Sequence, residues 1–549
     1  MQHVESRRNQ LNRGQLEGQC MYLVSIIGSF ARSKQFKPLL MNRADPSTVM
    51  QTGRIGQQPE QPGVEQNAPA NAPWTLFLLY FVAIIPFWTV RYPVLTDYPN
   101  HLARWFVLFH MKDGAYHFAN LYAPAWGPLP YISPDILAMV LQYFLPIDVV
   151  GRCILSLCII LVALATYFFL KKACPENVGL ASFGILVAFN PNFLMGSISN
   201  EFSLAFCLLV VGLWVSYCKT PKVMTAAGIA IGLILVYLSH LSGFVVAGLV
   251  MGVYALFQEQ RWKKVGILAI MSLPALLIFA YNPNHAGSGA SFVYAGPTGW
   301  DKVRNLFFPL RLFTSKKLDL ICLTGLAFLI LLVLKKRPTF ALQPVWLVVC
   351  AILLLAYFVA PGQYGFGGYI DTRFMPFLYL FLLAVIRFNR VPRYLYIGLA
   401  LLVLFRVATV EQMFLSRQPE LKQLTASFEA IPRNAKVLPL VRLPENGFVG
   451  RGDIHHLEYG VIQRGFLDPV LFHLPGAQPI RLVGSPYCPN VFCDVAGAPE
   501  VDWQQVANSY DYLWVHSDPE ITTFTSRIGN AIFSNGSVTV YRVRHPQFQ

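Results

Sequence analysis

The sequence predicts a polytopic α-helical membrane protein that ends in a small α/β domain outside the membrane. Of its 549 residues, 55% are hydrophobic and 13% are charged, against about 25% charged in an average soluble protein. Successive runs of roughly 17 to 22 nearly uncharged residues are each long enough to cross a bilayer as a helix. After residue 415 these runs stop, and shorter segments with strand and helix patterns follow.

The chain begins with a polar arm. Residues 1–72 are rich in Gln, Asn, Arg, Gly and Pro, so they are expected to form a disordered cytoplasmic segment. The net charge of +15 lies largely between the apolar runs, where basic residues set orientation against the membrane. This distribution argues against a nucleic-acid partner.

The transmembrane part is expected at 73–415, with its first span at 74–90 and a long first outer loop at 91–148. The apolar segment 136–145 is only about ten residues long, so it is predicted to lie at the interface and not to cross. Ten further spans bring the prediction to about eleven crossings: 149–170, 178–195, 201–218, 222–240, 242–258, 264–282, 318–334, 343–360, 374–388 and 394–413.

The positive-inside rule supports this list. With the N-terminus in the cytoplasm, every predicted inner connection is basic, whereas a crossing at 136–145 would move all of these residues outside. The outer loop 283–317 is also basic and departs from the rule. The inner basic residues are Lys171, Lys172, Lys219, Lys222, Arg261, Lys263, Lys264, Lys335, Lys336, Arg337, Arg387, Arg390 and Arg393.

Residues 416–549 are predicted to fold as an extracytoplasmic α/β domain. Helices are expected at 419–430 and 503–509, and strands at 436–442, 512–516 and 537–543. Cys488 and Cys493 lie in this region. They are either free thiols or a small disulfide loop, which an oxidising compartment permits.

The strongest candidate for chemistry is Asp97, directly after the first span. A carboxylate held beside aromatic residues can have a raised pKa and accept a proton from a hydroxyl group. The alternative is a helix N-cap, because Pro99 follows at the first turn. His101 and Arg104 lie in the same segment and are expected to contact substrate.

Glu201 opens a later span at the outer side and is the second catalytic candidate. An acid in the first turn of a helix is also favoured by the helix dipole, so a structural role stays open. Asp97 and Glu201 together could bind a divalent cation through oxygen ligands. Nothing in the pattern requires a metal or another cofactor.

Two further outer segments carry candidate substrate contacts. His240 lies where the chain turns between two spans, and a structural role is the alternative for it. Tyr369, Asp371 and Arg373 end a glycine-rich loop as the chain re-enters the membrane. The guanidinium of Arg373 can bind a phosphate through two hydrogen bonds, although a structural pair with Asp371 is the alternative.

With these features the chain resembles the C-type (GT-C) membrane glycosyltransferases, which include protein mannosyltransferases and aminoarabinose transferases. An acidic residue in the first outer loop is central to catalysis in that family, and Asp97 occupies this place. Glu201 is similar to a second acid that is often found in the next outer loop. Arg373, Phe374 and Pro376 are similar to an Arg, aromatic and Pro pattern at a late span. Tyr98 stands where an Asp pair would have its second acid, which favours a metal-independent transfer.

The resemblance implies transfer of one sugar from a polyprenyl-phosphate donor to a lipid, glycan or protein acceptor at the extracytoplasmic face. Asp97 would act as general base in an inverting displacement, and the donor phosphate would meet Arg373 and the basic 302–317 loop. The lipid tail would lie between spans among membrane lipids. A bacterial inner membrane with a periplasmic C-terminal domain is the expected location.

Three other functions compete with this one. A transporter or flippase would place ionisable residues near mid-membrane and repeat its halves, and no such repeat is evident. A lipid-linked polysaccharide polymerase or ligase would work on the same class of donor. A non-catalytic assembly protein would use Asp97 and Arg373 only as interfacial anchors.

Overall fold

Apolar helices account for most of the molecule. The computed structural model describes residues 72–282, 292–293, 300–312, 315–336, 338–364, 367–442, 449–474, 476–484, 486–488, 501–516 and 519–544. The predicted polar arm before Ala72 and the residue Cys493 lie outside this part of the chain.

The first half of the chain is helical with short interruptions. Its helices are α1 (Ala72–Thr89), α2 (Tyr98–Phe109), α3 (Ser133–Leu141), α4 (Ile147–Ala173), α5 (Phe183–Ala188), α6 (Pro191–Met195), α7 (Ile198–Lys219), α8 (Val223–Ser239), α9 (Leu241–Leu256) and α10 (Arg261–Tyr281). The segment that was predicted to be interfacial, 136–145, coincides with the nine-residue helix α3.

The second half contains the remaining helices and most of the strands. The helices are α11 (Trp300–Arg304), α12 (Lys316–Lys336), α13 (Pro344–Val359), α14 (Phe374–Leu382), α15 (Arg393–Ala426), α16 (Glu458–Arg464), α17 (Trp503–Ser509) and α18 (Pro519–Ile528). The strands in the described part of the chain are β1 (Tyr122–Pro124), β2 (Phe292–Val293), β3 (Phe340–Leu342), β4 (Gln363–Tyr364), β5 (Gly367–Gly368), β6 (Ile386–Phe388), β7 (Val437–Val441), β8 (Ile480–Leu482), β9 (Tyr512–His516), β10 (Gly529–Ser534) and β11 (Val538–Val543).

Within the described residues, five helices are long and apolar enough to cross a membrane: α4, α7, α10, α12 and α15. Shorter apolar helices lie at Leu76–Thr89, Phe183–Met195, Val223–Ser239, Leu241–Leu256 and Pro344–Val359. The structure therefore agrees with a multi-pass membrane protein, and the number of eleven crossings stays a prediction.

The predicted span at 178–195 is not one helix. It is divided into a 3₁₀ turn, α5 and α6, because the Asn190 side chain caps α6 by accepting from the Phe193 N–H at 3.2 Å, and Pro191 has no N–H to continue the helix from α5. Backbone groups freed by such a break need partners inside a membrane protein. The Leu194 and Met195 carbonyls find theirs in the first outer loop.

Two other boundaries differ from the sequence prediction. The predicted span 374–388 contains only the nine-residue helix α14, after which strand β6 pairs antiparallel with β3. Helix α15 continues from the last span through residue 415 to Ala426. The last span and the first predicted helix of the C-terminal region are therefore one continuous helix.

The C-terminal region contains a four-stranded sheet in the order β10, β11, β9, β7, in which β7 is parallel to β9 and the other pairs are antiparallel. All five residues of β7 and of β9 are buried. Their alternate side chains form a small core that includes Leu438, Leu440, Leu513 and Val515. Such continuous burial is expected for strands covered on both faces.

This region is joined to the first outer loop, and residues 69–549 form one compact unit. Strand β1 pairs antiparallel with β8. Next to this pair, the Tyr122 hydroxyl donates to the Asp468 carbonyl at 2.6 Å and accepts from the Asp468 N–H at 2.9 Å. The two outer segments therefore fix each other in place.

The two ends of helix α4 distinguish the two ends of the bundle. Gly151, near its start, lies against Tyr98 of the first outer loop. Near its end, the Lys172 carbonyl accepts from the Lys219 ammonium at 2.9 Å. A 27-residue helix is about 40 Å long at 1.5 Å per residue. The basic connections are thus separated from the Asp97 segment by the length of a membrane span.

The close approach of α2 to α4 gives a stability prediction. A Cβ atom at Gly151 would overlap the Tyr98 hydroxyl and the Leu102 side chain, whereas at Gly248 in α9 nothing lies within 4 Å. We expect Gly151→Ala to lower the free energy of unfolding by about 1–3 kcal/mol through overpacking. Thermal unfolding in detergent measures this effect. Gly248→Ala is the matched control and should cause no loss, because Ala is the better helix former; equal melting temperatures for the two variants would contradict the packing argument.

Candidate active site

The backbone of Asp97 is fixed by the break between α6 and α7. The N–H groups of Thr96 and Asp97 donate to the Leu194 and Met195 carbonyls at 3.2 and 2.8 Å. Gly196 follows at φ +97°, a region that favours glycine. A Cβ there would lie 2.8 Å from the Asp97 Cβ and 2.9 Å from its nitrogen. Only glycine lets the two segments approach this closely.

The carboxylate of Asp97 is not used as a helix cap. Asp97 occupies the N-cap position of α2 but makes no side-chain capping hydrogen bond. Its side chain is 30% exposed. Burial raises the pKa of this carboxyl to about 6, although the nearby His455 and Arg373 charges act in the opposite direction. A carboxylate with this pKa and with solvent access is suited to accept a proton near neutral pH.

His455 comes to Asp97 from the C-terminal region. Its Nε2 lies 3.7 Å from Asp97 Oδ1, and its Nδ1 lies 2.7 Å from Glu458 Oε1. Asn100 orients this glutamate by donating from Nδ2 at 2.9 Å. Burial alone would lower the pKa of His455, but the Glu458 and Asp97 carboxylates raise it above its usual value. The imidazole therefore lies between two carboxylates, which favour its charged form.

Arg373 lies at the start of α14 and faces the same place. Its Nη1 donates to His240 Nε2 at 2.5 Å, and its side chain also hydrogen-bonds Tyr131. The Tyr131 ring packs edge-on against the His240 ring with centroids 4.6 Å apart. The guanidinium charge acts on the Asp97 carboxyl. Arg373 is thus oriented by two aromatic side chains that carry no negative charge.

Both ring nitrogens of His240 have polar contacts. Nδ1 accepts from the Ser242 N–H at 3.1 Å and lies 2.8 Å from the Ser242 hydroxyl, while Nε2 faces Arg373. Ser242 in turn donates to Asn200 Oδ1 at 3.1 Å. Ser242 therefore orients the His240 ring toward Arg373, and the ring brings no negative charge to this contact.

Tyr369 and Asp371 lie in the loop that precedes Arg373. Tyr369 has φ +57°, which is uncommon for a bulky residue and is found at functional sites. Burial, and then the Asp97 charge, raise the pKa of its hydroxyl. Asp371 accepts from the Thr372 N–H at 2.8 Å and lies 3.5 Å from the Lys302 ammonium. Tyr369 thus faces Asp97, whereas Asp371 anchors the loop.

Lys302 was expected to help bind a phosphate, but the structure gives it another contact. It is buried and donates to the carbonyls of Tyr357, Phe358 and Ala360 at the end of α13. An ammonium group at this place satisfies free carbonyls and the helix dipole. Lys302 therefore holds the loop, whereas the Arg373 charge acts on the Asp97 carboxyl.

His101 and Arg104 line a small cavity next to this site. Arg104 Nε donates to Asp135 Oδ1 at 2.8 Å, and its Nη2 lies 3.0 Å from His101 Nδ1. Within the described residues its Nη1 is buried and has no hydrogen-bond partner. The cavity has a volume of about 60 Å³, which is room for about two waters. Its lining residues are His101, Arg104, Tyr131, Pro134, Ile198, Ser199 and Gln478.

Glu201 is not brought together with Asp97. It is fully buried at the start of α7 and accepts from Asn190 Nδ2 at 2.8 Å. Asn190 is the cap of α6, so this contact stabilises the broken helix that positions Asp97. The structure therefore supplies a structural contact for Glu201, and its catalytic role stays a prediction.

The residues that sequence reasoning missed are Tyr131, His455 and Glu458. Tyr131 lies in an aromatic stretch that gave no chemical signal. The other two belong to a run of six residues that also contains Asp453 and His456. Four ionisable side chains at such short spacing in a region with few charges were a usable signal, but their distance of about 360 residues from Asp97 concealed the contact.

A possible metal group lies elsewhere. Among the described residues, Glu420, Asp453 and His516 have potential ligand atoms within 4.8 Å of one another. However, Arg451 forms two hydrogen bonds with the Asp453 carboxylate, at 2.9 and 2.6 Å, and Arg417 donates to Glu420 at 2.9 Å. Both carboxylates thus already have cationic partners, which makes this group a poor metal site.

Comparison with known proteins gives a structural match only. No family model matches the chain, and no curated protein matches it in sequence. Two crystal structures of ArnT from Cupriavidus metallidurans are similar, in the apo state (TM-score 0.43, 10% identity) and bound to undecaprenyl phosphate (0.45, 11%). Each match covers 86% of this chain and 98% or 97% of the other. At these TM-scores and identities the likeness carries no argument about the family or the activity of this chain.

Proposed function

We propose that this chain transfers a sugar from a polyprenyl-phosphate donor to an acceptor hydroxyl, with inversion at the anomeric carbon. The observation that carries the proposal is that the Arg373 charge acts on the Asp97 carboxyl at one end of a helical bundle. The pKa of this carboxyl is raised to about 6, and the guanidinium contacts the His240 ring. The carboxyl is suited to act as a base, and the guanidinium is suited to stabilise an anionic leaving group.

The reaction needs both groups at the same time. The acceptor oxygen attacks the anomeric carbon, the bond from that carbon to the phosphate oxygen breaks, and Asp97 takes the acceptor proton. The lipid phosphate leaves with the electron pair as an anion, which Arg373 stabilises through charge-assisted hydrogen bonds. Attack from the side opposite the phosphate inverts the configuration. No metal takes part in these steps.

The small cavity offers a place for part of the substrate. Its free donor, Arg104 Nη1, suits an oxygen of the sugar or of the acceptor, because an unpaired buried donor gains a hydrogen bond on binding. A whole hexose does not fit in about 60 Å³. The sugar ring therefore extends from this cavity toward the exposed side of Asp97.

The location follows from the same arrangement. The basic connections lie about 40 Å from Asp97 along α4, and the positive-inside rule puts them in the cytoplasm. The site and the C-terminal region then face the periplasm of a bacterial inner membrane. Labelling of single cysteines with a membrane-impermeant thiol reagent in intact cells tests this orientation.

The test of the function uses the purified protein in lipid nanodiscs with radiolabelled sugars on polyprenyl phosphate. Undecaprenyl phosphate serves as the first carrier, and lipid, glycan and peptide fractions serve as acceptors. Transfer with inverted configuration in the product supports the proposal. Translocation of the donor lipid without sugar release to any acceptor would overturn it in favour of a transporter.

The pKa of Asp97 gives a prediction for the pH dependence. The base is active only when it is ionised, so kcat/KM should be constant well above pH 6 and fall tenfold per pH unit below about pH 6. Initial rates between pH 5 and pH 8.5 measure this fall of kcat/KM at acidic pH. The buffers are matched in ionic strength as a control. A rate independent of pH down to pH 5 would contradict a base of this pKa.

A further inference from the structure

The polar region after the last span reaches into the Asp97 site through two side chains that no step of the proposed reaction uses. His455 is buried with its two ring nitrogens facing two different carboxylates. A buried histidine in this position is able to act on the ionisation of each neighbour. We propose that His455, held by Glu458, is a positioning residue that keeps the Asp97 base ionised. This inference rests on the proposed role of Asp97.

The geometry of Glu458 supports this role because its side chain is fully constrained. Its Oε1 accepts from Asn100 Nδ2 at 2.9 Å and lies 2.7 Å from His455 Nδ1. Asn100 also donates to the Val470 carbonyl at 3.1 Å and accepts from the Phe472 N–H at 2.7 Å. With Nδ1 directed at Glu458, the imidazole can present only Nε2 to Asp97. The arrangement fixes both the orientation and the charge of the ring.

The charges around this group favour a protonated imidazole. Asp97 and Glu458 lie on its two sides, and burial followed by the Glu458 charge holds the pKa of the neighbouring Asp468 carboxyl well above its usual range. The ring of His455 lies between the Asp97 and Glu458 carboxylates, and its removal leaves Asp97 next to Glu458 with less compensation.

Other charged and titratable groups face Asp97 from the elements packed against it. Arg373 and Tyr369 approach from the loop before α14, and His101 lies near His455 from α2. Burial, and next the Arg104 charge, lower the pKa of His101 well below its usual value, so this ring is neutral. The ring charge of His455 and the guanidinium of Arg373 are then the cations that act on Asp97.

The experiment compares wild type with His455→Gln, which keeps a polar side chain but no titratable charge. Loss of an opposite charge at this distance should raise the apparent pKa of Asp97 by about one unit or more. The acidic limb of kcat/KM should move to higher pH by that amount; a one-unit shift gives roughly fivefold lower rates at pH 6 and rates within about threefold of wild type at pH 9. His110→Gln, in the first outer loop, is the matched control and should leave the profile unchanged.

A direct titration keeps the test independent of transfer activity. The protonated carboxyl band of Asp97 is followed by infrared spectroscopy as the difference between each protein and its Asp97→Asn form. The midpoint should shift upward in His455→Gln even if no donor is ever turned over, so failure of the proposed function does not hide the result. Thermal unfolding confirms that the variant is folded, and His455→Asn replaces it if it is not. An unchanged midpoint, or an equal loss of rate at every pH, overturns the proposal.

Discussion

Replacement of Asp97 by Asn should lower sugar transfer by about 10² to 10⁴-fold, the range for loss of a general base. Asn has nearly the same shape, but its amide cannot take up the proton that the acceptor hydroxyl releases. The backbone hydrogen bonds of Asp97 to the end of α6 do not involve its side chain, so the fold should persist. Transfer from the radiolabelled donor, measured at matched expression in nanodiscs, gives the ratio.

The control for this variant is Asp113→Asn, in the same outer loop. Asp113 pairs with His110 and accepts from the Ala115 N–H at 3.0 Å, at the surface. The Asp113→Asn protein should retain the wild-type rate of sugar transfer. An Asp97→Asn protein that keeps more than about a tenth of the wild-type rate would be too active for loss of a base. Binding of the donor should be little affected, which separates a chemical role from a binding role.

Replacement of Arg373 by Gln should lower kcat by about 10² to 10³-fold, as expected when a donor to developing negative charge is removed. Loss of the guanidinium also raises the pKa of Asp97, because Arg373 acts to lower it. The rate is therefore measured at pH 8.5, where the base is ionised in both proteins. Arg373→Lys should recover only part of the loss, because an ammonium cannot form two parallel hydrogen bonds to one phosphate.

The control is Arg390→Gln, at an exposed position after β6. It belongs to the connections that are predicted to face the cytoplasm and should keep full transfer. If Arg373→Gln raised KM for the donor and left kcat unchanged, Arg373 would bind the donor phosphate equally in the ground and transition states. That result would remove Arg373 from the stabilisation of the leaving group.

The helical part of the fold could be predicted because hydropathy is a local property. Most predicted spans coincide with one apolar helix, whereas 178–195 is divided into several short elements and 374–388 contains a helix and a strand. The breaks were not predicted, since they depend on tertiary partners. The end of α6 is tolerated because the carbonyls of Leu194 and Met195 meet N–H groups from the first outer loop, and no window of sequence contains both partners.

The candidate site could be predicted in part for the same reason. Asp97 and Arg373 carry signals in their own segments, an acid and an arginine at the outer ends of spans. His455 can be recognised as part of the site only from its distance to Asp97, which depends on the fold. Glu201 also carries a strong local signal, an acid at a helix start, and it accepts a hydrogen bond from Asn190 inside the bundle; its catalytic role stays a prediction. Local sequence patterns identify reactive groups but not the side chains that the fold places next to them.

The pairing of β1 with β8 also has a consequence for the order of events during synthesis. The two strands are separated by about 360 residues of chain. At a translation rate of roughly 5–20 residues per second, the first outer loop waits about 20–70 s for its partner strand. Helices between them enter the membrane during this interval. The Asp97 pocket therefore receives His455 only after about 360 further residues have been made, and a ribosome that stalls before His455 leaves a membrane-inserted protein with an unassembled site.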